Sequence, residues 1–211
     1  MSRLMSPEEH ARLAAAIRAA ESRTSGEIYC VVARASDSYF FPAAFMVAAG
    51  IMVVSLVLSW ALGYWWIALS PAVLVVAQLL ALACALLVLW LLPGLRLLLV
   101  PRSLCYRRAH DNALKQFLTR NIHITEARTG VLIFVSLAER YAEVIADSGI
   151  DAHVPQDTWN AVVADLVAAA RHGSLAAGFV AAIDAVGALL AAHFPVRPKD
   201  RNELDDHLVE I

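Results

Sequence analysis

The sequence predicts a mixed α/β fold with a small mixed sheet, interrupted by a two-helix membrane hairpin. Three observations carry that reading. Residues 38–95 form a run of 58 without Asp, Glu, Lys, Arg or His. The run lies mid-chain, and the other 153 residues hold all the acidic and basic side chains. Within those 153 residues, short runs rich in β-branched residues alternate with amphipathic stretches, the pattern of strands set between helices.

Taken in order, Ser6-Pro7-Glu8-Glu9 starts a helix. Ser6 suits the cap, proline the first turn, and Glu9 the return bond of a capping box. The helix reaches about Ser22, with Leu13, Ile17 and Ala20 on one face, and Thr24-Ser25-Gly26 turns the chain. Ile28 to Ala33 is apolar on both faces, which predicts a central strand. The uncharged run then suits two spans, since a helix needs about 20 apolar residues to cross about 30 Å of hydrocarbon. The spans are placed at 43–62 and 72–92, the second capped by Ser70 with Pro71 in its first turn. Gly63 to Ile67 forms an aromatic turn between them, and Tyr39, Phe40 and Phe41 suit the opposite interface. Pro93-Gly94 ends the second span, and Gly94 to Val100 runs along the interface. Gln78 is the one amide in either span. Its depth matches Ser55 or Ser59 on an antiparallel partner, which predicts a hydrogen bond worth roughly 1 kcal/mol.

After the hairpin, Ser103 to Arg120 reads as a helix with Leu114, Phe117 and Leu118 inward. Gly130 opens a second buried strand, Val131 to Val135, and Glu139-Arg140 turns into a third, Tyr141 to Ala146. Pro155 starts a helix with Trp159, Val162, Val163, Leu166 and Val167 at helical spacing, stopping at His172-Gly173. Ser174 caps a last helix through Phe179, Ile183, Val186 and Leu190 to His193. The first two strands can be parallel only through a crossover. The hairpin sits inside that crossover, and because a hairpin returns to the side it left, both strands can join one sheet. The expected organisation is a first domain segment at 1–37, the hairpin with its exit at 38–100, the rest of the domain at 101–195, and a loosely held charged tail at 196–211.

Arg23, Arg34, Arg96, Arg102, Arg107, Arg108 and Lys115 flank the spans, and the turn between them is uncharged. Cations favour the cytoplasmic side. The expectation is an integral protein of the inner or plasma membrane with both termini cytoplasmic. Residues 1–26 lack the apolar core of a signal peptide. Cys30, Cys84 and Cys105 form no C-x-x-C pair, so neither a zinc site nor a disulfide framework is indicated. A formal net charge of −2 without a basic, aromatic-interleaved stripe argues against a nucleic-acid partner. The partners expected are the lipid bilayer and a membrane protein or complex. No nucleotide, serine-hydrolase or zinc-protease fingerprint is present.

The order of elements resembles a known family. An opening helix leads to Thr24-Ser25-Gly26-Glu27-Ile28 and a strand; a crossover helix precedes Gly130-Val131-Leu132-Ile133-Phe134-Val135; its hairpin partner ends in Asp147-Ser148-Gly149-Ile150. Two closing helices follow, the last opened by Ala176-Ala177-Gly178. This is similar to the TPM domain, found in thylakoid-lumen, photosystem II repair and acetylcholine-receptor accessory proteins. The resemblance implies a three-layer α/β/α sandwich. It also implies two functions within the family, cation-binding acid phosphatases and accessory factors of membrane complexes. Members commonly place Asp-Asn before the glycine of the second strand, where this chain has Arg128-Thr129. A guanidinium there repels a divalent cation and suits contact with a phosphate or carboxylate. Glu27, Asp147, Asp151 and His153 remain as candidate ligands of a hard cation. Asp147 and Asp151 equally suit turns, Asp157 a helix N-terminus and His153 a solvated surface. The function expected is a membrane-anchored accessory or binding module at the cytoplasmic face of the inner membrane. The alternative is a divalent-cation-assisted acid phosphatase-like hydrolase using Ca2+ or Mg2+; no catalytic residue is legible.

Overall fold

α1 (Pro7–Glu21) leads into β1 (Glu27–Ala33), and the chain then departs into α2 (Phe40–Tyr64), α3 (Pro71–Leu91) and the short α4 (Pro93–Leu99). It returns through α5 (Arg102–Thr119) and a 3-10 turn (Ile122–Ile124) to β2 (Gly130–Ser136) and β3 (Tyr141–Ala146). α6 (Ser148–Asp151), α7 (Gln156–Arg171), α8 (Leu175–His193) and β4 (Leu208–Glu210) complete it. The computed structural model describes residues 4–66, 70–125, 128–151, 153–196 and 206–211. Ile67, the side chain of Asp151 and residues 197–205, on which expectations fell, lie outside them.

The chain forms two compact units, residues 1–36 with 106–211 and residues 37–105. In the first, the sheet runs β3-β2-β1-β4. β1 is parallel to β2 from Glu27↔Gly130 to Ala33↔Ser136, and β3 is antiparallel to β2. One sheet face carries Ile28, Cys30, Val32, Val131, Ile133 and Val135 against Leu13 and Ile17 of α1, Trp159 and Leu166 of α7, and Phe179 and Ile183 of α8. The other carries Tyr29, Val31, Leu132 and Phe134 under Ala113 and Phe117 of α5. Helices therefore cover both faces, as the α/β/α expectation requires. Fully burying each large apolar side chain contributes about 1.5–3 kcal/mol. α8 is long and apolar enough to cross a membrane by composition, yet Phe179, Ile183, Val186 and Leu190 fill the sheet's core.

Local signals account for most ends. Glu9 N–H donates to Ser6 Oγ at 3.2 Å and Ser6 N–H to Glu9 Oε2 at 2.7 Å, closing the capping box. α7 ends with Gly173 at φ 74°. There Ser174 N–H donates to Ala169 O at 3.1 Å and Gly173 N–H to Ala170 O at 3.2 Å, a Schellman pair that satisfies two end carbonyls. Ser174 does not cap α8 with its side chain; its hydroxyl donates to Ala169 O of the preceding helix.

Two corrections concern elements. Residues 196–211 are not simply a loose tail: β4 adds parallel to the free side of β1, Cys30↔Leu208 to Val32↔Glu210, and Leu208 is buried. Glu210 then accepts from Leu4 N–H at 2.9 Å and Met5 N–H at 3.0 Å, and pairs with His10 Nε2 at 2.9 Å. Leu114 and Leu118 of α5 are exposed; the inward side is Ala109, Ala113 and Phe117. Small alanines bring α5 close to the sheet, where leucines would hold it off.

In the second unit, α2 and α3 are long and apolar enough to cross a membrane as a hairpin, with mean hydropathies of 2.4 and 2.9 over their best stretches. Gln78 Nε2 donates to Ser55 Oγ, the bond that their matched depths predict. α2 starts at Phe40, ahead of Pro42, and Tyr39 is a buried residue beside Ala43, Leu89, Val100 and Cys105 rather than an exposed anchor. Pro93 opens α4, and Arg96 folds back from it. Arg96 Nε donates to Leu89 O at 2.8 Å, Nη2 to Trp90 O and Nη1 to Ser38 O, each at 3.3 Å. Its guanidinium lies 5.4 Å from the Phe40 ring centroid. A cation thus satisfies carbonyls that the end of α3 would leave unpaired.

Candidate functional site

Glu27, Gly130 and Asp147 form one row across β1, β2 and the end of β3. Glu27 is in register with Gly130 and donates its N–H to Thr129 O at 3.1 Å. Asp147 donates its N–H to Gly130 O at 2.9 Å from the other side. The row belongs to the α5 face, by alternation with Tyr29, Leu132 and Ile145. It marks the N-terminal end of the parallel pair.

Gly130 is required by close approach. A Cβ there would stand 2.3 Å from Ile122 O and 2.6 Å from Ile122 Cγ2, in the turn that crosses the strand. Thr129 is tied on both sides: its N–H donates to Thr125 Oγ1 at 3.1 Å, and its Oγ1 donates to Ser25 O at 3.0 Å. Arg128 takes the left-handed backbone, φ 54°, that Asn and Asp accept more readily than other side chains. Its guanidinium is exposed and reaches toward the row, with Nη1 3.8 Å from Asp147 Oδ1.

Asp147 is buried. Oδ1 accepts from Ser148 N–H at 2.6 Å and Ser148 Oγ at 3.1 Å, while Oδ2 is buried without a hydrogen-bond partner. Glu27 is buried as well. It stands two strands from Asp147, about 10 Å between backbones. His153 is exposed, and its Nδ1 donates to Gly149 O at 3.1 Å; its ring meets Phe194 edge-on at 5.6 Å. Asp151 lies in α6. Asp157 is in the first turn of α7, where an acid complements the helix dipole.

Arg128, Glu27 and Asp147 are therefore gathered around Gly130, and His153 is held by α6 and Phe194. Among the described residues, no group of three His, Cys, Asp or Glu side chains is placed to hold a metal ion. The orphaned Asp147 oxygen would welcome a cation, but two carboxylates two strands apart, one facing a guanidinium, do not fit a divalent ion. What the arrangement offers is a cation at the rim of a buried carboxylate.

Sequence reasoning missed Glu21. At the end of α1 its Oε1 accepts from Ile28 N–H at 3.0 Å. Burial pushes this carboxyl up to about 8, and the nearby acids Glu27 and Asp206 add to the shift. An acid in the last turn of a helix, against the dipole, was the available signal. The folded chain keeps this proton between the usual 4.5 and about 8, where the unfolded chain has lost it. Glu21 therefore makes stability fall as pH rises through that window. Glu21→Gln keeps the shape without the charge. It should flatten that stretch of the Tm–pH profile and raise Tm most above pH 8. Superimposable profiles would refute the assignment.

Comparison with known proteins locates a known domain in the chain. Residues 95–189 match the model of the TPM domain. The chain carries a TPM domain. The matched stretch includes α5, β2, β3, α6 and α7 and most of α8, and β1 and β4 complete its sheet from outside. The NMR structure of BA42 protein from the psychrophilic bacterium Bizionia argentinensis is similar, with a TM-score of 0.62 at 19% identity over 100% of this chain and 97% of that one. At that identity the likeness bears on the fold of the TPM-domain chain and nothing further. No curated protein matches it.

Proposed function

We propose that this TPM-domain protein is a membrane-anchored accessory or binding module at the cytoplasmic face of the inner membrane, with both termini cytoplasmic. The observation that carries the reading is the position of α2 and α3, two helices able to cross a membrane, between parallel neighbours β1 and β2. Two spans return the chain to the side it left, so the strand before them and the strand after them share one sheet; one span would forbid it. The cations flanking the helices, and their absence from the intervening turn, support the orientation. The domain comprises the segments before and after the hairpin. Arg128, exposed beside Asp147, is the residue assigned to meet a carboxylate or phosphate of the partner.

Crosslinking in native membranes followed by mass spectrometry should recover one recurrent membrane protein, and Arg128→Ala should weaken that recovery several-fold. Recovery of lipid and self-contacts alone would sink the reading. Phosphomonoester hydrolysis that needs Ca2+ or Mg2+ and vanishes in Asp147→Asn would instead support the hydrolase alternative. For orientation, Tyr64→Cys should react with an impermeant maleimide from outside the cell, and Arg201→Cys should not. The reverse pattern would overturn the topology.

A further inference from the structure

The outer face of α5 sets exposed leucines among cations. Its inner face, Ala109, Ala113 and Phe117, is buried, the last two against the sheet. On a different side, at helical spacing, lie Arg107, Asp111, Leu114 and Leu118. Leu114 is 42% exposed, Leu118 51%, and Ile124 in the following turn 64%. Residues 102–120 contain Arg102, Arg107, Arg108, Lys115 and Arg120 with one acid, Asp111, in a chain whose formal net charge is −2. Arg102, Arg107, Lys115 and Arg120 are exposed.

We propose that this face of α5, with Ile124, docks on anionic lipid headgroups. Apolar side chains set among cations are what an interfacial helix presents to a bilayer, its leucines entering the headgroup boundary and its cations facing phosphates. Two features favour lipid over another occupant. Charge complementarity is one: Arg107, Arg108 and Lys115 outnumber the single acid Asp111 on this side, while the chain as a whole is acidic. Continuity is the other: only Val100 and Pro101 separate α5 from α4, and the first residues of α5 belong to the hairpin unit. Cations just cytoplasmic of a span meet the negatively charged leaflet without further search. The inference rests on the hairpin being in the bilayer, and it adds a second, electrostatic contact of stated lipid chemistry.

The test uses the full chain in a Cys84→Ala background, because Cys30 and Cys105 are buried and Cys84 is exposed. Leu118→Cys is labelled with an environment-sensitive fluorophore, and the protein is reconstituted in nanodiscs of phosphatidylcholine alone or with phosphatidylglycerol. In the anionic discs, emission should move to the blue and iodide quenching should fall several-fold. High salt should reverse both changes, since exposed charges are screened. Arg107→Glu with Lys115→Glu should abolish them, while Arg12→Glu on α1 should leave them in place. Equal emission in both lipids, shielded or not, would overturn the proposal, and so would a shift that survives the double variant or is lost in Arg12→Glu. Incorporation into neutral discs is scored separately. Failure to incorporate would sink the hairpin anchor and this surface with it, whereas incorporation without the lipid-dependent shift would sink the surface alone.

Discussion

Gly130→Val should destabilise the domain severely. The new Cβ would lie 2.3 Å from a backbone oxygen, Ile122 O, and 2.6 Å from Ile122 Cγ2. Relief requires either the turn or the strand to move. Ile122 is fully buried, and the turn is tied to the strand's approach by Thr125 and Thr129. The strand is held on both sides, by Glu27 N–H on Thr129 O and Asp147 N–H on Gly130 O. Overpacking against backbone that cannot retreat costs about 3 kcal/mol, a large share of the roughly 5–15 kcal/mol that keeps a domain folded. Gly26→Ala is the contrasting case, because the atom its Cβ would meet at 2.9 Å is the end of the Leu190 side chain, which can rotate away. Chemical denaturation of both variants in detergent checks the pair. A Gly130→Val midpoint equal to that of Gly26→Ala would show that the turn yields and that the close approach is not structural.

How much of this was legible follows from where each signal lives. The capping box at Ser6 and Glu9 is a local pattern with a local outcome, and it formed. The hairpin, and the Gln78–Ser55 bond within it, were readable because uncharged length and residue depth are one-dimensional quantities. The centrality of β1 was readable from apolar residues on both faces, but the reason for it was not. That reason is β4, three residues in a charged segment, too short for alternation to show; its pairing with β1 and the bonds of Glu210 decide it. On α5, periodicity favoured Leu114 and Leu118 as core, but the alanine side with Phe117 is the one that is buried. In the candidate site, the row Glu27–Gly130–Asp147 follows from strand register, which needs the crossover to be resolved first. The Arg128 contact depends on a left-handed backbone at a residue type that seldom takes it. Glu21 and Asp206 meet only because the chain end returns to the sheet.

Removing residues 206–211 should destabilise the domain by about 3–5 kcal/mol and make it self-associate. Three losses combine. Leu208 leaves the core cluster that also holds Met5 and Leu13. The bonds from Arg34 N–H to Ile211 O and from Ile211 N–H to Val32 O, each 2.9 Å, disappear, which opens the edge of a strand that is apolar on both faces. The Glu210 carboxylate no longer ties down Leu4, Met5 and His10, so the segment before α1 loses its hold. Glu210→Gln separates the last effect from the first two, because the strand remains while the charged acceptor is lost. It should cost about 1–2 kcal/mol without opening the edge. Thermal melts and size-exclusion profiles of the full chain, the truncation and Glu210→Gln distinguish these contributions. A truncation that melts with the full chain and stays monodisperse would mean that β4 rests on the sheet without closing it. The expected order, truncation well below Glu210→Gln and that variant just below the parent, would make the chain end an integral strand. It would then brace β1, the strand from which the chain departs into the hairpin.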